Sequence, residues 1–221
     1  MKIQVDNKSA EFISALGEKV YIVGGYVRNS LCGLKCTDID IAGPTPAQAL
    51  KLPPRATMTM VNHRMGTAQI IYDDVKYEYT PFRVEVYNAG GEHTPSQVYF
   101  TEDMDADAQR RDFCCNAIYY DVRNDELIDP LGGVRDAEMK VLRGCNKRVF
   151  ESDGLRLLRL VRLAAQLDFK IEGETAASAK ANSDKLSDIT TERKRAELDK
   201  ILYADTANGV PNAHYRGLRL M

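Results

Sequence analysis

The sequence predicts an α+β fold in which a mostly antiparallel sheet is followed by an all-helical region. Short apolar segments bounded by Gly, Pro or Asp turns fill the first part of the chain, and two of them flank Asp73-Asp74 as a hairpin. After about Val149 the apolar residues recur at helical intervals instead. We therefore predict a sheet-containing domain over residues 1–148 and a helical domain over residues 149–221.

Composition limits the possible functions. The 221 residues include 30 basic and 32 acidic side chains, so the chain lacks a strong overall positive field, and any nucleic-acid contact must come from a local patch. The five cysteines, without a secretory signal, argue against a disulfide framework. No apolar run approaches the roughly 18 residues that a membrane span needs. These features predict a cytoplasmic protein with no membrane partner, and they leave its oligomeric state open.

The order of elements follows from apolar spacing and turn residues. The predicted elements are a helix over 10–16, a strand over 20–23, a helix over 27–34, a strand over 36–42, a helix over 47–52, a strand pair over 67–72 and 75–80, a loop over 88–107, a strand pair over 113–121 and 126–128, and helices over 155–167 and 191–203. The last dozen residues show no clear pattern.

Two acidic residues in one predicted strand are the first candidates for a functional site. Side chains alternate along a strand, so Asp38 and Asp40 are expected on one face while Ile39 and Ile41 face the core. Two carboxylates held so close repel each other unless a cation lies between them, and Mg²⁺ prefers such oxygen ligands. Two Mg²⁺ ions could then stabilise the attacking and leaving oxygens of a phosphoryl displacement. Taken alone, the pattern is more typical of two solvated acids.

A glycine turn precedes this strand. Gly24 and Gly25 follow an apolar strand and open a predicted helix, where free N–H groups and the helix dipole favour a phosphate. Arg28 adds a positive charge on the first turn. The GxGxxG pattern of a dinucleotide fold is missing. By itself the turn is more typical of an ordinary connection that leads into a helix.

Six short segments stand in order along the chain: GGYVRN at 24–29, DID at 38–40, RRDFCCNA at 110–117, IDPLGG at 128–133, SDGLR at 152–156 and ER…EL at 192–198. Together they resemble the class II tRNA nucleotidyltransferase and bacterial poly(A) polymerase family. The resemblance covers about residues 20–202. It implies a polymerase-β-like nucleotidyltransferase head over 1–148 and a helical neck over 149–221.

The resemblance also implies an activity and its cofactor. It implies template-independent addition of CMP and AMP, from CTP and ATP, to the 3′ end of a tRNA, with two Mg²⁺ ions and release of pyrophosphate. Asp38 and Asp40 would be catalytic metal ligands. Glu78, in the segment KYEYTPFR, would supply a third catalytic acid.

Nucleotide-binding roles carry over where residues match. The implied nucleotide-binding residues are Gly24, Gly25, Arg28, Arg111, Asp112, Asn116, Asp153, Arg156, Arg159 and Arg162. Asp153 and Arg156 lie at i and i+3, so we expect them on one helical face, where an acceptor and a forked donor can read the edge of cytosine or adenine. Arg159 and Arg162 could instead belong to a solvated face.

The chain departs from the family pattern at three positions. Asn29 stands where the family has Asp, Cys114 where it has Thr, and Ser152 where it has Glu. None of these changes removes an implied metal ligand or the base-reading pair. The resemblance stops soon after Leu198, so we expect either a shortened form of a longer protein or an unusually compact member without the family's further helical body and tail regions.

Two other functions stay open. A poly(A) polymerase would share these motifs, although the segment 42–70 lacks the G-basic-basic-Phe signature that such polymerases carry after the acidic strand. A non-catalytic nucleotide- or RNA-binding relic is the second alternative, and the retention of Asp38 and Asp40 argues against it.

Overall fold

The computed structural model describes residues 3–17, 19–87 and 94–221. The strands are β1 (Tyr21–Val23), β2 (Ile39–Gly43), β3 (Thr57–Asn62), β4 (Thr67–Tyr72), β5 (Val75–Pro81), β6 (Arg83–Val86), β7 (Gln97–Phe100), β8 (Tyr119–Asp121), β9 (Glu126–Ile128), β10 (Val141–Leu142) and β11 (Lys170–Ile171). The α-helices are α1 (Asn7–Ala15), α2 (Gly25–Leu31), α3 (Met104–Gln109), α4 (Gly133–Glu138), α5 (Val149–Ser152), α6 (Leu155–Leu167), α7 (Gly173–Ala181), α8 (Thr191–Leu202), α9 (Ala204–Asn208) and α10 (Ala213–Leu220). Within the described ranges, no helix has both the length and the apolar character to cross a membrane.

The main sheet confirms the predicted architecture. Its seven strands run in the order β3-β4-β5-β2-β1-β8-β9. The neighbouring strands are antiparallel except β2 and β5, which are parallel. That parallel register sets Asp40 opposite Glu78 at the centre of the sheet. The fold is therefore α+β with a mostly antiparallel sheet.

Helix α1 covers one face of this sheet. Asp6 caps the helix by accepting a hydrogen bond from the backbone N–H of Ser9. Phe12 is fully buried and stacks against Tyr72 and Tyr77, with ring centroids 4.8 and 4.4 Å away. The Ser9 hydroxyl lies 2.9 Å from the Tyr77 hydroxyl, so the buried polar groups satisfy each other. This apolar face leaves the opposite face of the sheet for the acidic side chains.

The sequence predicted most of the strongly patterned elements. The hairpin β4–β5 turns at Asp73 and Asp74, whose positive φ angles of 46° and 67° are those of a tight hairpin turn. The helices α6 and α8 also confirm their predictions. Strand β2 begins at Ile39, so Asp38 immediately precedes the strand instead of lying within it. The predicted helix over 47–52 is a single 3-10 turn, and β3 was not predicted.

The predicted loop over 88–107 is partly wrong. Residues 88–93 lie outside the described residues, but β7 and α3 occupy much of the remainder. Asp103 caps α3 by accepting from the N–H groups of Asp105 and Ala106. The helix buries only Asp107 and Ala108, so its sequence carries no apolar periodicity that could have revealed it. The C-terminal helix α10 and the helix α7 were missed as well.

The helical region joins the sheet-containing region through short backbone pairings. β11 returns to pair in parallel with β10, so residues on either side of the predicted boundary share one small sheet. An isolated bridge between Phe113 and Gly144 adds a second connection. Helix α6 packs against α8, α9 and α10. The predicted boundary at 148/149 coincides with the start of α5 and stays a prediction.

The IDPLGG turn has a specific packing role. The Asp129 carboxylate accepts hydrogen bonds from the N–H groups of Gly133 and Val134, at 2.7 and 2.9 Å, and so caps α4. Gly132 has a left-handed φ of 73°. A Cβ atom on Gly133 would lie 2.0 Å from the carbonyl oxygen of Cys114. The second glycine therefore allows α4 to approach the RRDFCCNA segment.

We expect Gly133→Ala to destabilise the fold by about 3 kcal/mol, because the new methyl group meets backbone that cannot rotate away. Gly173→Ala is the matched control, since a Cβ there would have no atom within 4 Å. Urea unfolding of both variants measures the difference. Equal stabilities would contradict the close approach.

Candidate active site

The acidic pair lies at the centre of the sheet. Asp40 on β2 and Glu78 on β5 are direct neighbours in register, and Asp38 immediately precedes β2. Partial desolvation and the negative charges of Glu78 and Asp38 raise the pKa of Asp40 to about 6, although Arg111 and Arg159 oppose the shift. The Asp40 side chain nevertheless keeps an exposed face. A bound cation would stabilise the ionised form of this carboxylate and so lower its pKa.

The donor set fits Mg²⁺. Asp38, Asp40 and Glu78 offer hard carboxylate oxygens, which this ion prefers. In the part of the chain that the structure describes, no group of three or more His, Cys, Asp or Glu side chains is placed to hold a metal ion. Mg²⁺ usually binds through one or two carboxylates and completes its shell with water and substrate phosphates. A pair of carboxylates such as Asp38 and Asp40 would meet that preference.

The glycine turn lies directly beside the acids. Gly24 adopts φ 79° and ψ −132°, and a Cβ atom there would lie 3.8 Å from Asp40 Oδ2. Helix α2 begins at Gly25, so its first free N–H groups lie beside the same carboxylate. Arg28 is buried and donates to the Oδ1 atoms of Asn29 and Asn116. Its guanidinium thus links α2 to the RRDFCCNA segment.

A cleft of about 390 Å³ opens above these elements. The residues that line it are Gly24, Gly25, Asp40, Met65, Arg83, Glu85, Tyr87, Pro95, Arg110, Arg111, Asp112, Asn116, Asp153, Leu155, Arg156, Arg159 and Arg193. Nine of the predicted site residues are therefore brought together. Arg28, Asp38, Glu78 and Arg162 do not line the cleft.

A fully buried carboxylate that the sequence analysis missed fixes the arginines of the cleft. Asp107 accepts from Arg110 Nη2 at 2.6 Å, from Arg111 Nη2 at 2.9 Å and from the Tyr119 hydroxyl at 2.7 Å. The backbone N–H of Arg83 adds a fourth donor at 3.3 Å. The Arg111 guanidinium also lies 5.2 Å from the centre of the Tyr119 ring. One side chain therefore orients two consecutive arginines.

The charge of Asp107 depends on these partners. Burial by itself would raise its pKa, but Arg111 and Arg110 outweigh burial and lower the pKa to about 2. Glu85 is a second carboxylate beside these arginines. It accepts hydrogen bonds from Arg83 Nε at 2.8 Å and from the Tyr87 hydroxyl. Its pKa is lowered because the nearby arginines and the Tyr87 hydroxyl outweigh its desolvation. Both carboxylates are thus held ionised.

A second ion pair crosses the cleft. Asp112 Oδ2 accepts from Arg159 Nη2 at 2.6 Å and from Arg159 Nε at 2.9 Å, while its Oδ1 atom accepts from Asn116 Nδ2 at 3.0 Å. Burial would raise the pKa of Asp112, but Arg159 and Asn116 hold it far below its usual range. The bond joins α6 to the RRDFCCNA segment. Arg159 therefore lies in the cleft, as the resemblance implied.

The predicted base-reading residues also line the cleft, but not on one helical face. Helix α6 begins at Leu155, and Asp153 lies in the break after α5, where its Oδ1 atom accepts from the Leu155 N–H at 2.9 Å. Arg156 is buried and donates to the Ser152 hydroxyl at 3.1 Å and to the Arg110 carbonyl at 2.5 Å. Ser152 thus helps to orient Arg156.

Arg162 lies away from the cleft. It is on α6, where its Nε atom donates to Glu197 Oε2 on α8 at 2.7 Å. Lys200 contacts the other oxygen of the same carboxylate at 3.1 Å. The pair Glu197–Arg162 therefore packs the two helices together. The nucleotide-binding role that the resemblance implied for Arg162 stays a prediction, and its guanidinium contacts Glu197 instead of lining the cleft.

The cysteine prediction agrees with the structure. All five cysteines are free thiols, and Cys114, Cys115 and Cys145 are buried. Burial raises the pKa of Cys115 to about 12. These side chains pack the interior beneath the cleft.

An acidic centre on an α+β sheet, a glycine turn at a helix N-terminus and a basic cleft together define a nucleotidyltransferase-type head domain. A family model described as the poly A polymerase head domain matches residues 20–143, and the chain belongs to this family. A second model, described as a probable RNA and SrmB-binding site of polymerase A, matches residues 168–210.

Relatives of known name agree with this assignment. The chain is 37% identical over 197 residues to a CCA-adding enzyme of Streptococcus mutans and 38% identical over 197 residues to one of Lactiplantibacillus plantarum. These matches cover 88% and 87% of the chain but 48% and 47% of the relatives. The chain thus spans about half the length of the curated relatives it matches.

Solved structures show the same fold. The Bacillus stearothermophilus CCA-adding enzyme in complex with CTP matches with a TM-score of 0.82 and 29% identity, covering 96% of this chain and 50% of that one. The Thermotoga maritima CCA-adding enzyme complexed with tRNA matches with a TM-score of 0.74 and 26% identity, covering 99% of this chain and 53% of that one.

We expect Asp107→Ala to cost about 3–5 kcal/mol of stability, because it leaves buried guanidiniums without their carboxylate. Asp105→Ala, on the exposed side of the same helix, is the control and should cost less than about 1 kcal/mol. Urea unfolding at neutral pH measures both. Similar losses in the two variants would contradict the role of Asp107.

The same carboxylate predicts a difference in acid stability. The pKa of Asp107 is lowered to about 2, so its stabilising contribution is complete above its unfolded pKa of about 3.9 and disappears as the pH falls toward 2. The wild type should therefore lose its stability advantage over Asp107→Ala across this window. An advantage that stays constant down to the acid limit would exclude Asp107 as its source.

Proposed function

We propose that the chain transfers nucleotides to the 3′ end of an RNA, adding CMP and AMP from CTP and ATP to a tRNA in CCA addition or repair. The observation that carries the proposal is the position of Asp40, which lines a cleft walled by arginines, lies beside the N-terminus of α2 and pairs in register with Glu78. The names of the curated relatives, CCA-adding enzymes about twice as long as this chain, support CCA addition, and the tRNA in the Thermotoga maritima complex supports a tRNA acceptor. That substrate points to the cytoplasm as the place of action.

The side chains suit an in-line attack of an RNA 3′-hydroxyl on the α-phosphate. Asp38 and Asp40 would hold two Mg²⁺ ions, whose charge would stabilise the attacking and leaving oxygens. The N–H groups at Gly25 would orient the phosphates, and Arg111 would contribute positive charge on the same side. Positioning and charge would supply most of the rate enhancement, as is usual for phosphoryl transfer.

Base selection would come from the opposite wall. Arg156 offers a fixed guanidinium and Asp153 an acceptor, and both line the cleft. Cytosine and adenine each present an amino donor and a ring acceptor, which such a pair can match without a template. Uracil and guanine would set donor against donor and acceptor against acceptor. A mispaired buried group costs about 1–3 kcal/mol.

Poly(A) addition is the second candidate, favoured by the description of the matching family model. The two functions share their chemistry and differ in which nucleotides are used. Incubation of the protein and Mg²⁺ with a tRNA lacking its CCA end, and with each nucleoside triphosphate separately, distinguishes them. CMP incorporation supports CCA addition, long AMP tails support poly(A) addition, and no incorporation with any nucleotide favours a non-catalytic relic.

We expect Asp40→Asn or Asp38→Asn to reduce incorporation by about a thousandfold or more, since loss of a metal-binding carboxylate removes several kcal/mol of transition-state stabilisation. Glu126→Gln, on the exposed edge strand β9, is the control and should keep normal rates. Circular dichroism verifies that the fold is intact. Near-normal incorporation by Asp40→Asn would refute the metal-dependent proposal.

We expect Arg156→Ala to relax selection against UTP and GTP by about tenfold to a hundredfold. Single-nucleotide incorporation with all four triphosphates measures the ratio of kcat/KM values. Arg162→Ala, which breaks the contact to Glu197, should lower stability and leave base choice unchanged. If Arg156→Ala keeps the wild-type preference, base selection resides elsewhere.

A further inference from the structure

Two of the buried cysteines lie together beneath the cleft. Cys114 belongs to the RRDFCCNA segment and Cys145 shortly precedes α5, and both side chains belong to one buried apolar cluster. An isolated antiparallel bridge between Phe113 and Gly144 aligns the two segments. Beside this bridge, the Cys114 N–H donates to the Arg143 carbonyl at 2.9 Å. The backbone therefore holds the two thiols close to each other.

The two thiols also interact directly. The Cys114 Sγ atom lies 3.4 Å from the carbonyl oxygen of Gly144, and the thiol of Cys145 forms a hydrogen bond with it. This hydrogen bond, helped by Arg143, lowers the pKa of Cys114 against the effect of burial, whereas burial raises the pKa of Cys145. A thiol pair that shares one negative charge beside a guanidinium is typical of reactive cysteines.

A cavity of about 570 Å³ opens onto one of the two sulfurs. Cys145, Arg143 and Lys147 are among the residues that line it, whereas Cys114 is fully buried behind them. Among the described residues, this cavity and the cleft have no lining residue in common. A small neutral oxidant can therefore reach Cys145 without passing through the cleft.

We propose that Cys114 and Cys145 form a redox-sensitive pair, which a hydroperoxide such as hydrogen peroxide joins in a disulfide. Cys114 stands where the family has Thr, so the pair is a feature of this chain and not of the family pattern. Disulfides of cytosolic proteins are usually transient bonds of this redox-sensing kind. The bond would form within one chain, between two segments that the fold already aligns.

The oxidation proceeds in two steps that together consume one peroxide. Proton transfer to Cys114 across the hydrogen bond makes Cys145 the thiolate, whose sulfur takes one oxygen from the peroxide and becomes a sulfenic acid. Cys114 then attacks this sulfur, and the S–O bond breaks as the S–S bond forms. The two thiols lose two electrons and two protons, and hydrogen peroxide is reduced to two water molecules.

The pair is connected to the cleft through Asp112. The Cys145 N–H donates to the Asp112 carbonyl at 3.1 Å, and the Asp112 carboxylate accepts from Arg159 at 2.6 Å. The sulfurs of a disulfide lie about 2.05 Å apart, closer than two free thiols can approach, so the bond must draw the two segments together. That shift would move Asp112 and, with it, the guanidinium of Arg159 in the cleft.

Mass spectrometry of the whole chain after treatment with hydrogen peroxide tests the pair. Iodoacetamide blocks the remaining thiols during denaturation, and trypsin then releases residues 112–123 and 144–147. We expect these two peptides to be joined with the loss of two hydrogen atoms, and dithiothreitol to separate them. Residues 144–147 contain one cysteine, so the cross-link identifies Cys145 directly. Separate peptides, or over-oxidation of Cys145 without a cross-link, would overturn the proposal.

Three variants identify the partner of Cys145, because residues 112–123 contain both Cys114 and Cys115. Cys114→Thr, which introduces the residue of the family pattern, and Cys145→Ala should each abolish the cross-link. Cys115→Ala is the matched control and should keep it, since Cys115 packs in a different apolar cluster. A cross-link that persists in Cys114→Thr, or that disappears in Cys115→Ala, would show that the pair is wrongly assigned.

CTP binding measures the link to the cleft, and this part rests on the proposed function. The oxidised wild type should bind CTP about tenfold more weakly than the reduced wild type, the effect of losing about one charged contact, and dithiothreitol should restore the affinity. Peroxide-treated Cys114→Thr should bind CTP as it does before treatment. Equal affinities of the oxidised and reduced wild type would overturn the link to the cleft. A reduced chain that binds no CTP would count against the proposed function, whereas the cross-link, read from mass alone, would stand.

Discussion

The buried carboxylate of Asp107 is the constraint on which the cleft depends. Arg110 and Arg111 are adjacent in sequence, and two neighbouring guanidiniums repel unless an anion holds them. Asp107 accepts from both, and it also accepts from the Tyr119 hydroxyl on β8 and the Arg83 N–H on β6. A short helix, a hairpin strand and the main sheet are thereby joined at one point.

The segment next to Asp107 also positions two arginines of the helical region. Arg110, fixed by its side chain, presents its backbone carbonyl to Arg156. One residue beyond Arg111, Asp112 holds Arg159. Two arginines one turn apart on α6 are therefore placed by Arg110 and Asp112, two residues apart in the RRDFCCNA segment. The cleft therefore has Asp40 on the main sheet and fixed arginines on both the sheet-containing and the helical side.

The sequence predicted the parts of the site that depend on short-range pattern. Gly24, Asp38 and Asp40 stand in strand and turn signals that are readable locally, and the structure brings Gly24 and Asp40 together. The contribution of Glu78 depends on a parallel register between strands far apart in sequence, which pattern could not establish. The sequence did not single out Asp107, because α3 is short and polar. In the sequence this buried acid looks the same as the exposed acids beside it.

Two of the three departures from the family pattern, Asn29 and Ser152, keep a hydrogen bond while removing a negative charge. Asn29 accepts from Arg28 at 2.7 Å with a neutral amide, so this partner does not neutralise the positive charge of Arg28. Ser152 similarly accepts from Arg156 with a hydroxyl. A neutral acceptor binds a guanidinium less strongly than a carboxylate does. Arg156 is therefore held by the carbonyl groups of Val149 and Arg110, and the hydroxyl of Ser152 leaves its positive charge unneutralised.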